Sequence, residues 1–155
     1  MRDSADSPAT ELVIRPIEPH DADEVAILAE QLGYQRSSSE IKAWIASLPT
    51  RSENQVAFVA CIGNEIVGWI EISIHHHLQS PPHALIGGLV VKDGHRNRQI
   101  GMRLCQRVEA WTWERGLSVL RVTSRSTRLD AHRFYERNGY QLTKLSHVYE
   151  KHQPA

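Results

Sequence analysis

The chain has 155 residues, 41% of them hydrophobic and 23% charged, a size and composition that suit one folded domain and argue against disorder. Eighteen Lys and Arg offset eighteen Asp and Glu, so no basic surplus is available to neutralise the phosphates of a nucleic acid. Cys61 and Cys105 are too few for a disulfide scaffold and lack zinc-site spacing, and no apolar run reaches the ~20 residues of a membrane span.

The first eleven residues, MRDSADSPATE, have no apolar stretch of the kind a secretory signal needs. They read as a disordered tail (1–11) ahead of a single domain over 12–152, and the protein is expected in the cytoplasm. Leu12 to Ile17 is a short β-type run. Asp21 with Glu24 three residues on has the form of a capping box, and Val25, Leu28, Ala29 and Leu32 then share a helical face that Gly33 stops. A second helix follows Ser37–Ser39, with Ile41, Trp44, Ile45 and Leu48 as its stripe and Pro49 at its end. Val56 to Cys61, the Gly63-Asn64 turn and Ile66 to Ile74 read as a hairpin. Ala84 to Val91 is a further strand in which Gly87-Gly88 predicts a bulge or a close backbone approach. A long helix runs from about Gln99 to Arg115, a strand from Leu117 to Ser124, a short helix from Asp130 to Asn138, and a closing pair of strands from Tyr140 to Lys151. The order β-α-α-β-β-β-α-β-α-β-β describes an α/β protein: a mixed, mostly antiparallel central sheet flanked by helices.

The informative stretch is Leu89-Val90-Val91-Lys92-Asp93-Gly94-His95-Arg96-Asn97-Arg98-Gln99-Ile100-Gly101, a strand, a basic loop and a helix start. Free N–H groups of a first helical turn and the positive end of the helix dipole favour an anion there. Gly101 removes a Cβ from the approach, and Arg96 and Arg98 can add charge-assisted contacts to phosphate. Solvated arginines on an ordinary connection would look the same, so the segment alone leaves both readings open. It is neither a P-loop, which would end Gly-Lys-Ser/Thr, nor the three-glycine dinucleotide fingerprint.

Arg96-Asn97-Arg98-Gln99-Ile100-Gly101 resembles motif A of the GNAT N-acetyltransferase superfamily, Arg/Gln-x-x-Gly-x-Gly/Ala after a strand, with Gln99 in place of the first glycine. Ala131-His132-Arg133-Phe134-Tyr135-Glu136-Arg137-Asn138-Gly139-Tyr140 resembles the same family's motif B. The element order also agrees with that fold from Leu12 to Lys151. The resemblance implies transfer of acetyl from acetyl-CoA, as cosubstrate, to a primary amine of a small molecule by direct attack through a tetrahedral intermediate. It implies that the backbone of Leu89, Val90 and Val91 pairs with the pantetheine arm. The amides of Asn97, Arg98, Gln99, Ile100, Gly101 and Met102, with the Arg96 and Arg98 side chains, would hold the pyrophosphate. The splay between the strands ending at Val91 and Ser124 would admit the thioester. Gln99 is tolerable in this motif where its position already has helical dihedrals.

By the same resemblance Tyr135 is the candidate general acid. A phenol of pKa ~10 facing a thiol of ~8.5 is a weak proton donor, so a hydrogen bond to the departing thiolate matters as much as transfer. Without the motif, Tyr135 beside Phe134 would read as simple aromatic packing. An amine of pKa ~10.4 must lose a proton before it attacks. The carboxylate that many family members carry before motif A is replaced here by Gly87, which leaves Glu71 on the preceding strand and His75 as candidate bases. His75-His76-His77 and His83 also raise the question of metal, but only His75 and His77 share a strand face and no carboxylate sits at ligand spacing, so no metal is expected. The acceptor is expected to be a small amine, with no nucleic acid and no membrane as partner; the sequence is silent on oligomeric state, although C-terminal edge strands could pair across a homodimer. Protein N-terminal or lysine acetylation, and a non-catalytic CoA-binding sensor module, are the competing readings.

Overall fold

The computed structural model describes residues 11–95 and 99–155, in two compact units that divide between Thr123 and Ser124. The expected tail lies outside the described residues except for Glu11, and so do Arg96, Asn97 and Arg98.

In the first unit five strands form one sheet in the order β1-β2-β3-β4-β5. They are β1 (Leu12–Pro16), β2 (Gln55–Ile62), β3 (Glu65–His75), β4 (His83–Val91) and β5 (Leu120–Val122). The first three pairings are antiparallel and β4–β5 is parallel. The mixed, mostly antiparallel sheet expected from the sequence is therefore present. Three helices belong to this unit: α1 (Ala22–Glu30), α2 (Ser38–Ser47) and α3 (Ile100–Glu114).

Alternation decides which face each helix covers. Val59 and Cys61 of β2, Ile66 of β3 and Val90 of β4 form a buried cluster with Val25 and Leu28 of α1 and Ile41 and Ile45 of α2, with Trp69 packed against it. The opposite face, with Phe58, Ile70 and Ile72 at 0–1% exposure, receives α3. Gly68 makes that contact possible: a Cβ there would stand 3.2 Å from Leu104 Cδ1 and 3.3 Å from Ile100 Cγ2. Ile100, Leu104, Cys105, Val108, Trp111 and Thr112 are the buried stripe of α3. Each large apolar side chain removed from water in this way contributes about 1.5–3 kcal/mol.

The ladder between β3 and β4 shifts register at Glu71/Ile72: Glu71 faces Gly88 and Ile72 faces Ile86, so Gly87 is the extra residue of a bulge. The bulge predicted at Gly87-Gly88 is there. It also explains why the strand expected over Leu117 to Ser124 is only Leu120–Val122: β5 pairs with Ala84, Leu85 and Ile86 and its ladder stops where β4 bends.

Two local expectations are corrected. Asp21 is not the side-chain cap of α1; its carboxylate takes two hydrogen bonds of 2.8 Å from Arg15 and one of 2.7 Å from Glu18 N–H, while Glu24 accepts from Ile66 N–H. A buried carboxylate beside a guanidinium is better satisfied by two charge-assisted bonds than by the helix end. By contrast α2 has the expected serine cap, with Ser37 and Glu40 forming a complete capping box.

The second unit contains α4 (Leu129–Arg137), one residue displaced at each end from the expected helix. The closing strands expected from Tyr140 to Lys151 are absent from these described residues. The alternation that suggests them fails after Leu142: Leu145, Val148 and Tyr149 do not continue one face, and all four side chains are 73–88% exposed.

Candidate functional site

β4 ends at Val91 and α3 begins at Ile100. Leu89, Val90 and Val91 pair with Ile70, Trp69 and Gly68 of β3, while β5 has already left the other side of β4. The loop beyond is tied down by polar contacts. Gln31 after α1 donates to the Val91 carbonyl at 3.0 Å and accepts from Asp93 N–H at 3.0 Å. Lys92 is paired with Glu65 at 2.5 Å and His95 stands 3.6 Å from the same carboxylate, whose pKa the Lys92 ammonium lowers. With Lys92 so engaged, the basic side chains left to this loop by the sequence are Arg96 and Arg98, which lie outside the described residues together with Asn97.

Gln99 is the N-cap of α3, with φ 61° and ψ 18°. The helical dihedrals that would make it an easy replacement for glycine are not found; its backbone is left-handed, a conformation that costs an L side chain about 1–2 kcal/mol. Its side chain makes no cap hydrogen bond and the first turn, Ile100, Gly101 and Met102, carries no acidic residue. Where α2 satisfies its own first turn, α3 shows no side-chain anion at its N–H donors and positive dipole end among the described residues. That is a fit for a phosphate group.

Glu71 lies on the same β3 face as Trp69, with Ile70 and Ile72 buried on the other. Its carboxylate hangs over Gly87: a Cβ on Gly87 would come within 2.6 Å of Glu71 Oε1. The space that a side chain at position 87 would fill is thus taken by a carboxylate from the neighbouring strand. Glu71 Oε2 accepts from Gln55 Nε2 at 3.0 Å. Gln55 Oε1 in turn accepts from Arg51 Nε at 2.6 Å. Sequence reasoning missed Gln55 and Arg51, because only the antiparallel register of β2 on β3 brings them to Glu71.

His75 and Glu71 are not brought together. They are four residue steps apart along the strand, ~13 Å at ~3.3 Å per residue. His75 accepts from or donates to Ser73 Oγ at 2.9 Å, and its ring stacks with those of His77 and His83, at centroid distances of 6.2 and 5.9 Å. The shared face predicted for His75 and His77 is present. His83 opens β4 and is buried, and burial first, then the nearby Arg121, lowers its pKa.

In the second unit Tyr135 is half-buried on α4, its ring edge-on to Phe134 at 5.3 Å and to Tyr140 at 5.7 Å. Ser124 opens this unit, its Oγ buried with no hydrogen-bond partner among the described residues. Arg125, Arg128 and Arg133 are exposed.

A profile of the Acetyltransferase (GNAT) family matches residues 22–140, more than half of the chain and across both units. No curated protein matches the sequence significantly. The fold is similar to that of an aminoglycoside antibiotic 6'-N-acetyltransferase from Acinetobacter baumannii, with TM-score 0.79, 18% identity and coverage of 93% of this chain and 100% of that one. It is similar to an aminoglycoside N-acetyltransferase in complex with CoA, with TM-score 0.80, 18% identity and coverage of 91% and 95%. A transcriptional regulator from Bacillus halodurans gives TM-score 0.79, 23% identity and coverage of 91% and 100%. At these identities the likeness shows the fold.

Proposed function

Because this chain belongs to the GNAT acetyltransferase family, and is with it an acetyl-CoA-dependent N-acetyltransferase, we propose that its acceptor is a primary amine of a small molecule and that Glu71 and Tyr135 carry the proton transfers. The observation that supports this most is the carboxylate of Glu71 above Gly87, beside the stretch of β4 that β5 leaves unpaired. Acetyl-CoA supplies the acetyl thioester. Leu89, Val90 and Val91 offer backbone groups to the amide-bearing arm, and the first-turn amides of α3, with Arg96, Asn97 and Arg98, hold the diphosphate. Glu71 takes a proton from the ammonium of the acceptor, whose free amine then attacks the thioester carbon. Tyr135 gives its hydroxyl proton to the departing thiolate and regains one from the nitrogen, which sheds its second proton as the amide forms; Ser124 lines the thioester's path. Of the two candidate bases we prefer Glu71 to His75, because the histidine stack is ~13 Å further along β3. The similar aminoglycoside acetyltransferases favour a polyamine-like acceptor over a protein terminus.

The single domain over 12–152 is part of this proposal, supported by a family match that spans both units. A cytoplasmic location is also part of this proposal; Cys61 and Cys105 are both buried. Among the described residues no helix is long and apolar enough to cross a membrane. A homodimer would cover the exposed Leu142, Leu145, Val148 and Tyr149, though as packed side chains and not as paired edge strands.

Thiol release from acetyl-CoA over a panel of neamine, spermidine, free amino acids and short peptides tests the function. At least one small amine should release thiol and the peptides should not. Tyr135→Phe should lower kcat while leaving acetyl-CoA affinity nearly unchanged. Stabilisation of the fold by CoA with no thiol released by any amine would overturn the proposal in favour of a binding module.

A further inference from the structure

The polar chain behind Glu71 reaches well beyond the carboxylate. Arg51, in the 3₁₀ turn Leu48–Arg51 that follows α2, has its guanidinium 5.4 Å from the centre of the Trp44 ring. Its Nη1 donates to Ser47 Oγ at 2.5 Å and to the Ser47 carbonyl at 3.3 Å. Its Nε donates to Gln55 Oε1 at 2.6 Å, and Gln55 Nε2 donates to Glu71 Oε2 at 3.0 Å. Arg51, Gln55 and Glu71 are all half-buried.

We propose that Arg51 and Gln55 are positioning residues for Glu71, a relay that fixes which carboxylate oxygen faces the reaction and ties the base to the end of α2. This rests on Glu71 being the base. An arginine can only donate, so the Gln55 amide must turn its oxygen toward Arg51 and therefore its NH₂ toward Glu71. An amide locked in that sense presents a donor to Oε2, so a proton taken up by Glu71 goes to Oε1. Oε2 is thereby held, and Oε1 is left toward Gly87, where no Cβ intervenes. The three side chains come from three places in the sequence (a 3₁₀ turn and two strands), and Trp44 and Ser47 anchor the far end. A displacement of α2 by an acceptor amine therefore reaches the base through two hydrogen bonds. Relays of this kind act by keeping a reacting group within a fraction of an ångström of its productive place.

Steady-state thiol release, measured with the panel amine that is turned over fastest, tests the relay. Gln55→Met keeps side-chain length without donors and should lower kcat about 10-fold with KM for acetyl-CoA unchanged. Arg51→Met should do the same, and Arg51→Lys, which still offers a donor to Gln55 Oε1, should recover most of the loss. In a Glu71→Gln background, Gln55→Met should add nothing, since a residue acting only through Glu71 has nothing left to position. Losses that multiply in the double variant, or a Gln55→Met enzyme with full kcat, would overturn the relay while leaving Glu71 as the base. A Glu71→Gln enzyme with full kcat would instead remove the base and the relay together. Thermal melting of each variant separates loss of fold from loss of positioning.

Discussion

Gly87→Ala puts a methyl group where the structure holds a carboxylate oxygen. The added Cβ would lie 2.6 Å from Glu71 Oε1 and 3.2 Å from its Cδ, with no backbone atom among its nearest contacts. Ordinary contact begins at 3.4 Å, so the carboxylate must retreat by about 0.8 Å. Gly87 does not need a positive φ, so alanine accepts its backbone. Because the obstacle is the end of a flexible side chain, stability should change by less than about 1 kcal/mol. Catalysis is more exacting: a misplacement near 1 Å costs up to ~100-fold, so kcat should fall about 10- to 100-fold while CoA affinity holds. Thermal melting with and without CoA, alongside thiol release, measures all three quantities. Unchanged kcat with an unchanged melting temperature would refute the claim that Glu71 acts from above Gly87. A collapse of the fold would show that the bulge, and not the carboxylate, is what glycine protects.

Gln99→Gly should raise the melting temperature by about 2–4 °C: relief of an ~1–2 kcal/mol left-handed strain exceeds the ~0.5–1 kcal/mol entropy cost of glycine, and no side-chain cap bond is lost. A lower melting temperature would mean that the left-handed turn is not where the strain resides. Gly68→Ala brings a Cβ to 2.9 Å from the Val90 carbonyl oxygen, which cannot step aside. It should cost about 1–3 kcal/mol by differential scanning calorimetry and weaken CoA binding as α3 is pushed from the sheet. Burial by itself would raise the Asp21 pKa, but the Arg15 bonds and the Glu18 N–H outweigh it and hold the carboxyl below its ordinary value. A lowered folded pKa means that this contribution is full above the unfolded value near 3.8 and is lost as pH falls through the lower folded one. Asp21→Asn should therefore cost ~2 kcal/mol at pH 7, less than the ~3–5 of fully buried pairs because Arg15 stays 29% exposed. That deficit should close in strongly acidic buffer, and a deficit independent of pH would exclude the ion pair as its cause.

Local pattern was enough for every element whose stability is decided within itself or by one buried face. The stripe of α3, the Ser37 box of α2, the hairpin around Gly63-Asn64 and the bulge at Gly87-Gly88 all follow from spacing and residue type, because side-chain periods of 3.6 and 2 are properties of the backbone. The strand–loop–helix at Val91 to Gly101 was legible for the same reason, and so were the two motifs that point to the family. What only tertiary structure decided depends on pairing between segments far apart in the chain. Asp21 prefers Arg15 to its own helix, β5 ends where β4 bends, and Tyr140 to Lys151 finds no ladder. The replacement of a side chain at 87 by Glu71, and the line from Arg51 through Gln55, exist only once β2, β3 and β4 lie in register. Register is a cross-strand quantity set by the summed burial of two faces, and no window of sequence contains both strands.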